Sequence, residues 1–143
     1  MNATAEKMAL RIGGVPSNMI MDMWPGVEPV LARVVKPDTG YTLQSVLNAL
    51  QLAKMQLWVV NDFQGVIVTQ IEDRPAQRIL HTLFLAGDNM PEWIDGWCEI
   101  QDEYARHNGC AAIEFNGRKG WNKLGESKPE WKAIRTVFRR ELE

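Results

Sequence analysis

Side chains able to trade a proton near neutral pH or to attack a carbonyl are scarce in this 143-residue chain. His81 and Glu114 each sit inside a run that reads as a β-strand, and they are the candidates for a general base. The ordinary alternative for a lone strand His or Glu is a hydrogen-bonded or solvent-facing residue. Cys98 and Cys110 are the only cysteines, and they lack the close pairing of a zinc or redox motif. With no basic neighbour in sequence to lower its pKa, Cys110 reads as a small buried hydrophobe rather than a nucleophile. Arg118 and Lys119 stand between Gly117 and Gly120. Glycines there would let backbone N–H groups approach an anion, although a tight turn with exposed charges suits the run equally.

The charge distribution points the same way. Net charge is −2, so the chain as a whole carries no basic footprint for nucleic acid. From Arg118 to Arg140, however, eight Lys or Arg residues face only Glu126 and Glu130. This basic segment is either a solvated face or a contact for phosphates, whether of a nucleotide-like cofactor or of a nucleic acid. The apolar runs are far shorter than the ~20 residues of a membrane helix, and no signal peptide is visible, so a reducing cytoplasm is the expected compartment.

The elements that would hold these groups can be read from periodicity. Hydrophobic residues at 45% and charged residues at 24% are the balance of an ordinary globular protein, and no linker or repeat divides residues 1–143, so one domain is expected. Leu10 and Ile12 permit a short first strand, with residues 1–17 otherwise a loose leader. Met19, Met23, Val27, Val30, Leu31 and Val34 give a helical stripe interrupted at Pro25. Thr42 can cap a second helix whose inward face holds Leu43, Val46, Leu47 and Leu50. The period then changes. Leu57–Val60 and Gly65–Ile71 flank a turn and form an antiparallel pair, and Arg78–Leu85 completes a meander. Asp88 or Asn89 can cap a helix carrying Trp93, Trp97, Ile100 and Tyr104 on one stripe, which ends at Asn108-Gly109. Cys110–Phe115 reads as a strand covered on both faces, and the strand-helix-strand order implies a right-handed crossover with parallel pairing. In the last segment, Ser127 with Glu130 fits a capping box followed by a helix, while Ile134, Thr136 and Phe138 alternate as a strand would.

This order, together with Leu57–Val60, Val68–Ile71, Trp93–Tyr104 and the run Gly117-Arg118-Lys119-Gly120-Trp121, resembles the GNAT acetyltransferase superfamily over about residues 20–143. In detail it is similar to GNAT-like proteins of tailed phages and prophages. The resemblance implies an α/β fold in which an antiparallel meander leads into a β-α-β crossover, with helices on both faces. It also implies a splay between the fourth and fifth strands, where acetyl-CoA would sit. The backbone of Leu83, Phe84 and Leu85 would then bind the pantetheine arm, with Gly87, Arg118 and Lys119 near the phosphates and His81 or Glu114 as base. It further implies that residues 134–142 form a closing strand.

Two features depart from the superfamily pattern. Its diphosphate loop reads Gln or Arg, two residues, Gly, one residue, then Gly or Ala, whereas here Ala86–Pro91 offers one glycine, a carboxylate and a proline. Asp88 beside a diphosphate would be repelled by about 1 kcal/mol at ~4 Å even in water. The second departure is the tyrosine that many members use to protonate the leaving thiolate, since none lies between Trp121 and Glu143. The expected function is therefore an acetyl-CoA-dependent N-acyltransferase acting on a small amine or protein amine. The alternative is a catalytically degenerate GNAT-fold component of a phage virion, whose partners would be other virion proteins.

Overall fold

A computed structural model describes residues 10–117 and 128–142. Arg118 and Lys119, most of the Gly117–Trp121 run, and Ser127 of the expected capping box lie outside the described residues. Five strands, β1 (Ile12–Val15), β2 (Gln56–Val60), β3 (Gly65–Asp73), β4 (Arg78–Gly87) and β5 (Ala112–Phe115), form one sheet in that order. The first four pair antiparallel, while β4 and β5 are parallel, as the crossover through the intervening helix required.

Helices α1 (Ile20–Leu31) and α2 (Leu43–Gln51) cover one face and α3 (Ile94–His107) the other. The expected interruption of α1 at Pro25 does not occur, because the helix runs through Pro25 and Pro29. Each proline costs about 3 kcal/mol. Against that, Ile20, Trp24, Val27, Val30 and Leu31 are all buried, each contributing roughly 1.5–3 kcal/mol. Thr42 caps α2 as expected: its hydroxyl accepts from the Ser45 N–H at 3.0 Å, and the Ser45 hydroxyl accepts from the Thr42 N–H at 2.9 Å.

The two faces of the sheet bury separate cores. Leu57, Val59, Val66, Val68, Phe84 and Ala86 pack with α1 and α2. On the other face Trp58, Val60 and Ile67 pack with Trp93 and Trp97, so the tryptophan stripe of α3 is core. There the Trp58 and Trp97 rings meet edge-on, with centroids 5.3 Å apart.

Three further expectations are corrected. Neither Asp88 nor Asn89 caps α3 with its side chain; a 3₁₀ turn at Met90–Glu92 intervenes and the helix starts at Ile94. The Asp88 carboxylate is instead 3.0 Å from Arg33 Nη1. Strand β5 starts at Ala112 and is half-buried rather than covered on both faces. Residues 131–142 form neither the closing strand nor the helix. Ile134, Val137 and Phe138 are 63%, 77% and 90% exposed, so no buried apolar face stabilises either form. Side chains tether that segment instead. Trp131 meets Phe115 at 5.1 Å between ring centroids, and Arg139 Nη1 reaches the Asp38 carbonyl at 3.5 Å.

Candidate functional site

The seam between β4 and β5 is where the sheet stops being continuous. Register partners run from Ile79 with Ala112 to Thr82 with Phe115. There β5 ends, while β4 continues to Gly87. Among the described residues no strand pairs with Leu83, Phe84 and Leu85 on this side, which leaves a sheet edge that an added strand could use.

A bulge falls at the same point. Thr82 is opposite Thr69 and Phe84 is opposite Val68, so Leu83 is the extra residue on β4. As a result Leu83 and Phe84, though consecutive, both pack against the α1 and α2 core. Bulges of this kind re-aim backbone groups and end regular pairing.

Just before the bulge lies a network of charged side chains. The Thr82 hydroxyl donates to Gln101 of α3 at 2.8 Å, which puts Thr82 on the α3 face and its neighbour His81 on the α1 and α2 face. His81 and Glu114 are register partners across the seam, so the fold brings the two sequence candidates together. Their situations differ. Glu114 accepts from Arg74 through both oxygens, at 2.9 and 3.1 Å, and also from Arg135. The Arg74 hydrogen bonds, working against burial and joined by the Arg135 charge, hold the Glu114 carboxyl below its ordinary value. A carboxylate held that way is a weak base.

His81 is 12% exposed, and its Nδ1 is 2.6 Å from Glu72 Oε2. A carboxylate only accepts, so Nδ1 carries the proton and a neutral ring keeps its lone pair on Nε2. Nε2 is buried, and it is the one such side-chain atom among the described residues with no hydrogen-bond partner. Arg74 Nη2 also donates to Glu72 at 2.9 Å. Burial pushes the Glu72 carboxyl up, but the hydrogen bonds from His81 and Arg74 outweigh it and the net displacement is downward.

Glu72 and Arg74 were invisible as site residues in the sequence, because Glu72-Asp73-Arg74-Pro75 reads as a turn. Strand β3 runs past Ile71 to Asp73, and its register sets Glu72 opposite Ile79, on the same face as His81. Both thiols are pushed up by burial, Cys98 also by Asp102, so neither is a thiolate at neutral pH.

The lowered carboxyl pKa values have a measurable consequence. Because Glu72 and Glu114 are depressed in the folded state, their stabilisation is complete above the ordinary carboxyl value of 4.5 and is lost as pH falls through the folded values beneath it. Denaturant midpoints should hold steady for this network between pH 7 and pH 5, then drop with further acidification. A Glu72→Gln, Glu114→Gln double variant should show a shallower drop; an unchanged acid limb would refute the coupling.

The loop from β4 to α3 is closed on itself. The Asp88 N–H donates to the Gln64 carbonyl at 2.8 Å, the Glu92 N–H to Asn89 at 2.9 Å and the Trp93 N–H to Met90 at 3.0 Å. The Trp93 indole N–H takes the Asp88 carbonyl at 2.8 Å. Gly87, expected near the phosphates, is a register partner of Gly65. Asp88 and Glu92 lie on this turn, and Asp95 follows in the first turn of α3. A diphosphate needs free donors and positive charge; in this loop the Asp88, Glu92 and Trp93 N–H groups are taken and the Asp88 and Glu92 carboxylates oppose an anion.

No protein-family profile matches the chain, and no curated protein matches it in sequence. Solved structures do. An aminoglycoside acetyltransferase, meta-AAC0020 from an uncultured soil metagenomic sample, superposes with a TM-score of 0.69 at 12% identity, covering 94% of this chain and 97% of that one. Glucosamine-6-phosphate N-acetyltransferase from Arabidopsis thaliana gives 0.65 at 11% identity, over 94% and 99%. Ribosomal-protein-alanine N-acetyltransferase from Brucella melitensis biovar Abortus 2308 gives 0.61 at 11% identity, over 94% and 99%. Likeness at such identities is likeness of fold. The five-stranded mixed sheet with parallel β4 and β5 is the fold of the GNAT acetyltransferases.

Proposed function

We propose that the chain is an N-acyltransferase that moves an acyl group from a thioester to an amine, with the β4–β5 seam holding the donor. The observation that carries this reading is the open edge at Leu83–Leu85, bulged at its first residue and set two positions after a carboxylate-oriented imidazole. An amide-containing arm can bond such an edge as an added strand would. In the transfer, the amine nitrogen attacks the thioester carbonyl, the C–N bond forms, the C–S bond breaks and the thiol leaves. Nε2 of His81 takes the ammonium proton, Glu72 holds the ring in the required tautomer, and Glu114 with Arg74 anchors Glu72. Acetyl-CoA is the donor the sequence resemblance implies.

The closed loop favours a second reading, a GNAT-fold domain that no longer transfers and serves as a structural component. The sequence resemblance would place it in a phage particle. One experiment divides the two. Thiol release from acetyl-CoA and from acetyl-pantetheine is followed with a panel of primary amines, alongside calorimetric titration of each thioester. Amine-dependent release supports the enzyme; binding without release, for every amine tried, supports the structural component; no saturable binding at millimolar ligand removes the donor site altogether.

A further inference from the structure

The seam and the loop disagree about the donor. Residues Leu83 to Leu85 leave an open backbone edge suited to the amides of a pantetheine arm, and no described strand competes for it. The adjoining turn, where the diphosphate of a coenzyme would have to lie, has spent the N–H groups of Asp88, Glu92 and Trp93 on Gln64, Asn89 and Met90. Two of the nearby carboxylates are already matched to cations of this chain. Asp88 pairs with Arg33 at 3.0 Å and Asp95 with Lys128 at 3.6 Å, while Glu92 accepts from Gln64. An incoming diphosphate would have to break the Arg33 pair and would then face Asp88 unshielded. Gly87 gives the turn no slack, since a Cβ there would lie 2.2 Å from the Gln64 carbonyl oxygen.

Resting on the acyltransferase reading, we infer that the described residues recognise the donor through its pantetheine arm alone. The substrate class is then an acyl-pantetheine thioester that presents no nucleotide diphosphate to the protein. A thioester carried on the phosphopantetheine of a carrier protein has this chemistry, and so does a free acyl-pantetheine. A nucleotide on the far end of the arm adds no affinity because the Asp88 and Glu92 carboxylates oppose its diphosphate and the N–H groups of Asp88, Glu92 and Trp93 are already engaged.

The test is a set of calorimetric titrations of the full chain with S-acetyl-pantetheine, acetyl-CoA and 3′-phospho-ADP. Acetylated holo acyl carrier protein forms a fourth arm. The two small thioesters should bind within threefold of each other, and 3′-phospho-ADP should neither bind nor compete. Tighter binding of the carrier-borne thioester identifies the carrier as the source, whereas equal binding identifies the free arm. Acetyl-CoA binding tenfold or more tightly than S-acetyl-pantetheine, with 3′-phospho-ADP competing, overturns the inference and leaves the acyltransferase reading standing. If no thioester binds, both fall. A triple variant, Asp88→Asn, Glu92→Gln and Asp95→Asn, supplies an independent check. It should improve acetyl-CoA binding at least threefold without moving S-acetyl-pantetheine, and an unchanged ratio would count against the turn as the cause.

Discussion

His81→Gln lowers the rate of amine-dependent thiol release by two to three orders of magnitude. A positioned general base contributes roughly 10²–10⁴-fold, and glutamine keeps a donor for Glu72 while removing the lone pair that takes the proton. The ring is the group with spare capacity. Its Nδ1 is engaged by Glu72 at 2.6 Å, while Nε2 is buried and unpartnered. Leaving a buried polar atom unsatisfied costs about 1–3 kcal/mol, a cost a fold has no reason to carry at a purely structural position. Glu72→Gln should lose less, about tenfold, because an amide can still hold the ring, though it no longer stabilises the imidazolium that forms as the proton arrives. A His81→Gln protein that turns over within threefold of wild type would remove His81 from the mechanism.

The elements around this site were legible in the sequence to different degrees, and the reasons are physical. The β2–β3–β4 meander was readable because its runs are rich in β-branched and aromatic residues and its turns are marked by Asn61, Asp62 and Gly65, then by Asp73 to Pro75. The α3 stripe was readable because Trp93 and Trp97 repeat at helical spacing. Helix α1 was misjudged at Pro25 because the local cost of a proline was set above the apolar stripe whose burial outweighs it. In the last segment two periodicities compete, and the fold uses neither. Its Arg135 and Trp131 are bound by Glu114 and Phe115, which are contacts that no periodicity describes.

The candidate site was half legible. His81 and Glu114 could be named because titratable residues inside strands are rare, but their partners could not, since Glu72 becomes a partner only once the hairpin register is known. The bulge left no trace because Leu83, Phe84 and Leu85 are all apolar, so an inserted residue does not disturb the hydropathy pattern. The open seam itself came from the family resemblance, since no pattern of residue types announces where two strands part.

Gly87→Ala destabilises the fold by about 3 kcal/mol, from backbone strain of roughly 1–3 kcal/mol and overpacking of a similar size. Gly87 has φ 147°, and a Cβ there would lie 2.2 Å from the Gln64 carbonyl oxygen and 2.6 Å from Gly65 Cα. Both obstacles are backbone, so no side-chain rotation can relieve them. The Gln64 carbonyl is also the acceptor for the Asp88 N–H at 2.8 Å. Pushing it away would loosen the turn between β4 and α3 and free the donor the closed loop keeps hidden. Gly13→Ala is the control: nothing lies within 4 Å of a Cβ at Gly13, and its φ needs no glycine. Urea denaturation should therefore show a large fall in midpoint for the first variant and a change within about 0.5 kcal/mol for the second. Equal midpoints would mean that the close approach of Gly87 to the β3 turn does not constrain the loop, and the argument that this loop is rigidly shut against a diphosphate would lose its mechanical basis.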